Sequence, residues 1–140
     1  MPAYSATIRH RTRGDDEVLD LTGELTAIVA ESGVATGQVT LMVTGSTAAI
    51  TTTEFEPGLV ERDLSVALEG IAPRDGWYLH EETWGDDNGH SHVRASLIGP
   101  SLALPVVEGR IPLGTWQQVV LIDSDTRPRS RTVVVTVVGE

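Results

Sequence analysis

Residues 132–138 read Thr-Val-Val-Val-Thr-Val-Val, and all seven side chains are β-branched. Such side chains are stiff at the first rotatable bond and favour extended backbone. The segment has no polar face, so it predicts a long strand that needs cover on both sides. A small domain meets that need most easily by associating with copies of itself, so the segment points to a subunit interface.

The chain that must accommodate this strand has 140 residues, the length of one domain, here 1–140. At 40% hydrophobic and 21% charged, its composition is globular. The net charge is -10, and all ten basic residues are arginine. The acidity argues against nucleic-acid or anionic-membrane partners, which require a cationic face. Without lysine there is no Schiff-base chemistry and no phosphate-loop lysine. Without cysteine there is no disulfide framework, thiolate nucleophile or cysteine zinc site. The start, Met-Pro-Ala-Tyr-Ser, lacks the basic and apolar regions of a signal peptide, and no apolar run reaches membrane-span length. The expectation is a soluble cytoplasmic protein.

Periodicity divides the chain into strands, two main helices and a further run of strands. Ala6, Ile8 and His10 alternate with Thr7, Arg9 and Arg11, which predicts a strand. Gly14-Asp15-Asp16 is a turn. Thr22 is positioned to cap a short helix carrying Leu25, Ile28 and Val29, with Gly33 as its stop. Gln38 to Val43 reads as a largely buried strand, and the threonine-rich stretch to Thr53 as extended. Leu59 to Ile71 has helical spacing, ended by Pro73. Trp77 to His80 reads as a short strand; His90 to Leu97 fits either a strand or a helix. Pro105 places 102–107 at a sheet edge or bulge. Gln117 to Ile122 and Thr132 to Val138 complete the strands. The pattern predicts an α+β fold with an antiparallel sheet.

Four segments carry candidate chemistry. Three of the four histidines, His80, His90 and His92, lie within residues 80–92. On a strand His90 and His92 share a face and can hold one metal; on a helix they diverge. His80 can add a third ligand, and Glu81, Asp86 or Asp87 an oxygen. Asn88 starts an element, either as a turn residue with Gly89 or as a helix cap. Gly45-Ser46-Thr47 follows a strand: either a plain turn, or a place where a phosphate approaches backbone amides and two hydroxyls. Arg127, Arg129 and Arg131 alternate, so on extended backbone they form either a three-guanidinium anion site or a charged edge paired with Asp123 and Asp125. Trp116, beside Gln117, is either core or a stacking wall. Glu54 and Glu56 share a strand face as a further pair of carboxylates.

Several motifs now join in order: residues 46–54 (Ser-Thr-Ala-Ala-Ile-Thr-Thr-Thr-Glu), Tyr78-Leu79-His80, Asn88-Gly89-His90-Ser91-His92, Gly99-Pro100-Ser101, Leu113-Gly114-Thr115-Trp116-Gln117 and Pro128-Arg129-Ser130-Arg131. Over nearly its whole length the chain resembles the YjbQ family, also called UPF0047 or the secondary thiamine-phosphate synthase family. The resemblance implies a compact α+β homotrimer. It also implies a transferase activity that joins a pyrimidine-methyl diphosphate to a thiazole phosphate and releases diphosphate. It points to His80, His90 and His92 for catalysis or for a divalent metal, zinc or magnesium, with Asn88, Trp116 and Gln117 lining the ligand. Arg127, Arg129 and Arg131, with Ser46 and Thr47, would bind the anion of a small phosphorylated metabolite. The alternatives are a non-catalytic metal- or anion-binding trimer, or a hydrolase of a phosphorylated metabolite. One position departs from the family pattern: Gly45 stands where many members carry histidine.

Overall fold

The computed structural model describes residues 2–140. Its strands are β1 (Ala3–Thr12), β2 (Glu17–Asp20), β3 (Thr36–Val43), β4 (Ala48–Glu54), β5 (Ser101–Val107), β6 (Gln117–Asp123) and β7 (Arg129–Gly139). Its α-helices are α1 (Thr22–Ser32), α2 (Leu64–Ile71), α3 (Leu79–Trp84) and α4 (Gly89–Ile98), with a π-helical turn at Leu59–Asp63 leading into α2. The expected single antiparallel sheet is two antiparallel sheets, ordered β1-β7-β3-β5 and β2-β6-β4. The two expected helices are joined by two short ones, α3 and α4.

Period-two alternation explains the layering. Val133, Val135 and Val137 of β7 join Ile8, Val39, Leu41, Val43, Ile50, Val119 and Leu121 in one core, closed by Leu25, Ile28 and Val29 of α1. The other face of the small sheet carries Val18, Val120 and Ile122, covered by Val60, Leu64 and Ile98. Strand β6 is therefore buried on both faces, between a larger sheet and a helical layer.

The outer face of the four-stranded sheet is uncovered in the protomer. Directly opposite residues share a face, which gives the rows Thr7–Val134–Met42–Ser101, Ser5–Thr136–Thr40–Ala103 and Ala3–Val138–Gln38–Pro105. None of these twelve residues is charged. Met42, Val134 and Val138 are 45%, 42% and 39% exposed. The second cover that the valine-rich strand needs is thus not supplied within the chain.

Local signals explain the element ends. Gly33 takes a left-handed conformation (φ 71°) and closes α1, while Pro105 lies on the edge strand β5. Thr22 does not cap α1. Its hydroxyl accepts the Val119 amide, and the Asp20 carboxylate takes the Thr22 amide instead. Trp77 to His80 is not a strand: Tyr78 is extended (φ -129°, ψ 131°), but it leads directly into α3, which already holds Leu79 and His80. No helix among the described residues is long and apolar enough to cross a membrane.

Leu121 is fully buried at the centre of this stack. Leu121→Ala is expected to lower the unfolding free energy by about 2–5 kcal/mol, read from urea denaturation. A loss well under that range would place β6 outside the cooperative core.

Candidate metal and anion site

The site is built on the loop that follows β6. Asp123, Ser124 and Asp125 are each at most 2% exposed, although two of them carry charge. A buried carboxylate needs partners that replace its lost water. Asp123 receives two bonds from one guanidinium, Arg131 Nε at 2.6 Å and Nη2 at 3.0 Å, and a third from the Thr12 hydroxyl at 2.6 Å. Asp125 receives the Thr47 hydroxyl at 2.8 Å and Arg129 Nε at 2.9 Å. Burial pushes the Asp125 carboxyl up, but the Thr47 hydroxyl, the Thr126 amide and Arg129 together outweigh it and hold it below its ordinary range. The Ser124 hydroxyl donates to buried Asp16 at 2.6 Å, and Asp16 also accepts Arg94 Nη1 at 2.6 Å. Arg94, 1% exposed, donates from Nε to the Ala72 carbonyl and from Nη2 to Glu69. One polar network therefore ties β1, β6, β7, α2 and α4 together.

This pairing decides the arginine question. Arg131 lies on the core-facing side of β7, engaged with Asp123. Arg129 is engaged with Asp125, and exposed Arg127 lies 3.5 Å from Asp87. The expected three-guanidinium anion face is therefore not formed, because each arginine already faces a carboxylate. The Thr47 hydroxyl is also occupied, donating to Asp125 and accepting Arg131 Nη2 at 2.6 Å. Ser46 is exposed.

The histidines divide as helical geometry requires. Because α4 begins at Gly89, His90 and His92 point in different directions. His92 faces the turn between β3 and β4: its Nδ1 lies 3.1 Å from the Ser46 carbonyl, and its ring centroid is 4.6 Å from that of His80. A carbonyl only accepts, so His92 Nδ1 is the donor in this contact. His80 Nδ1 lies 3.1 Å from both Glu81 Oε1 and Asp86 Oδ1. Glu81 Oε1 also accepts the Gly89 amide at 2.7 Å, which fixes α3 against the start of α4. Glycine is required at 89, since a Cβ there would lie 2.5 Å from Glu81 Oε1 and 2.8 Å from Tyr78 Cβ. His90 is buried on the opposite side, with its ring 6.5 Å from that of Tyr78. Burial, then the nearby Arg94 and Arg74 charges, push its pKa below the ordinary 6.5, so it is neutral at neutral pH. The expected His80–His90–His92 triad is therefore not assembled. The group whose donor atoms converge is His80, Glu81 and Asp86, with the His92 ring beside it. Asn88 does not cap α4 with its side chain, and its buried Oδ1, like His90 Nδ1, has no hydrogen-bond partner among the described residues.

The ligand-lining residues are also divided. Ala48 pairs with Asp123 at one end of the small sheet and Glu54 with Gln117 at the other. Six residue steps at about 3.3 Å separate these ends by roughly 20 Å. Trp116 and Gln117 therefore cannot line the histidine cluster of their own protomer. Trp116 is 73% exposed, which overturns the core alternative, and Gln117 donates to the Thr52 hydroxyl at 3.1 Å.

Sequence reasoning missed Asp16 and Arg94, the second buried ion pair. The available signal was Arg94 at four residues from His90, on the inward face of the same helix.

Fold and site together define a small α+β protein of two antiparallel sheets, with an imidazole–carboxylate cluster at one end of the smaller sheet. The family profile described as UPF0047 protein YjbQ-like matches residues 6–140, and the chain belongs to that family. A UPF0047 protein from Methanothermobacter thermautotrophicus is 35% identical over 140 residues, covering 100% of this chain and 95% of that protein. A crystal structure of a YbjQ-like protein of unknown function from Sulfolobus solfataricus P2 superposes with a TM-score of 0.92 at 33% identity, covering 99% of this chain and 98% of that one. A hypothetical protein from Aeropyrum pernix K1 gives a TM-score of 0.90 at 32% identity, covering 98% and 99% respectively.

Arg131→Ala leaves Asp123 buried without its cation and is expected to cost about 3–5 kcal/mol of stability. Arg127→Ala removes only a long, exposed contact and is expected to cost under about 1 kcal/mol. Equal losses in parallel denaturation curves would contradict this assignment.

Proposed function

We propose that this protein is a cytoplasmic homotrimer that binds a divalent cation and a small phosphorylated metabolite. The observation that carries the reading is the pairing of His92 with His80. His92 meets the Ser46 carbonyl through Nδ1, and its ring lies 4.6 Å, centroid to centroid, from that of His80, whose donor atom converges with Glu81 and Asp86. A metal-bound histidine commonly donates its other N–H to a carbonyl in this way. Mixed nitrogen and oxygen donors suit zinc, whereas magnesium prefers oxygen ligands alone. His80, His92, Glu81 and Asp86 would hold the cation, which would supply positive charge for a phosphorylated ligand.

Two observations support assembly. The outer face of the four-stranded sheet carries three rows of uncharged residues, with Arg9 and Arg11 beyond them on β1, and leaves Met42, Val134 and Val138 exposed in a chain of net charge -10. The separation of Trp116 from the histidines means that a site using both requires a second protomer. The thiamine-phosphate synthase reaction is less well supported. It needs unneutralised positive charge around a departing diphosphate, and Arg129 and Arg131 are already paired. We therefore place binding before transferase or hydrolase chemistry.

Zinc titration by calorimetry is expected to show a site that weakens about 10–100-fold in His80→Ala and in His92→Ala but holds in His90→Ala. Absence of zinc binding, or equal loss in all three variants, would sink the metal assignment. Sedimentation velocity is expected to give a trimer, shifted toward monomer by Val134→Arg. A monomeric wild type would remove the assembly.

A further inference from the structure

The turn between β3 and β4 holds a set of donors that the fold leaves without acceptors. Gly45, Ser46 and Thr47 lie outside both strands, and none of their three backbone amides has a hydrogen-bond partner among the described residues. The amides on either side are differently placed, as Thr44 N donates to the Thr132 carbonyl at 2.9 Å and Ala48 enters β4. Gly45 and Ser46 are exposed and Thr47 is buried, so the first two amides are open to solvent and available to a ligand.

A charged donor stands beside them. Arg131 has 7% of its side chain exposed. Its Nε and Nη2 are engaged with Asp123 and Thr47, but Nη1 donates to nothing among the described residues. This Nη1 lies over Gly45: a Cβ built at that position would sit 2.5 Å from it. Gly45 has φ +119°, a conformation that side chains disfavour, so glycine is doubly required. The exposed Ser46 hydroxyl adds a further donor.

We propose that the turn 45–47 and Arg131 Nη1 form an oxyanion seat that takes the phosphoryl group of a small metabolite. Successive backbone amides beside a guanidinium are suited to a tetrahedral anion. The carboxylates of Asp123 and Asp125 do not oppose this. Asp123 and Asp125 are each matched by an arginine, so their surroundings are close to neutral. The seat also abuts the histidine cluster, because the Ser46 carbonyl is the group that orients His92. A phosphoryl oxygen on the turn and a cation at His80 would thus be served from the two faces of one short loop. The seat rests on the ligand-binding reading above but uses none of the proposed metal ligands.

The test is a titration of the metal-free protein with inorganic phosphate, followed through backbone amide chemical shifts. Saturable shifts at Gly45, Ser46 and Thr47, with a millimolar or tighter Kd, are expected. Gly45→Ala, which displaces Nη1, is expected to weaken binding about tenfold or more. Methyl phosphate is expected to bind like phosphate, since an ester leaves enough free oxygens for the seat. Shifts located elsewhere, no saturation, or exclusion of methyl phosphate would overturn the proposal. The wild-type shifts decide the matter even if Gly45→Ala fails to fold. Zinc binding without phosphate binding would reject the seat and leave the metal reading standing.

Discussion

The bidentate pair between Asp123 and Arg131 is the contact on which the rest of the site depends. It joins the end of β6 to the start of β7, and through Thr12 to the end of β1. Asp123 is completely buried, so its charge is tolerable only while Arg131 and Thr12 are in place. Those bonds determine where the turn 45–47 sits, because Thr47 is held between Asp125 and Arg131. The turn in turn places the carbonyl that orients His92. A cluster on the helical layer is thereby referenced to the core of the larger sheet.

The same network explains how a strongly acidic chain can be selective. Most of its arginines are committed to nearby carboxylates, some buried and some exposed. The negative surface that remains disfavours polyanions at long range, within the Debye length. What is left for a ligand is local and directional: one guanidinium edge, free amides and a histidine cluster.

Much of the fold was legible from period and punctuation. Gly33, Pro73 and Pro105 ended or placed their elements as their backbone chemistry requires, and the alternation in the first segment predicted strand β1. The segment 90–97 could not be assigned, because its apolar residues fit neither period cleanly and α4 buries polar residues instead: His90, Ser91 and Arg94. Trp77 to His80 misled because aromatic content favours strands, whereas the acidic first turn of α3 follows immediately. The site was legible in membership more than in geometry. Ser46, Thr47, His80, His92 and Arg131 do lie in one region. Which side chains remain free depends on partners such as Asp16, more than a hundred residues from Ser124 in sequence, and local pattern carries no trace of such pairings.

The positions of the aromatic residues have a practical consequence. Trp77, Trp84 and Trp116 are 74%, 72% and 73% exposed, so no tryptophan reports on the hydrophobic core. Indole emission shifts to longer wavelength in water, and these three rings are already largely solvated in the folded protomer. Melting the core would therefore leave the emission colour of an isolated protomer nearly unchanged. Burial of an indole against another protomer or a ligand would move it. In this protein the intrinsic fluorescence is a gauge of encounters, and the thermometer of folding has to be found elsewhere.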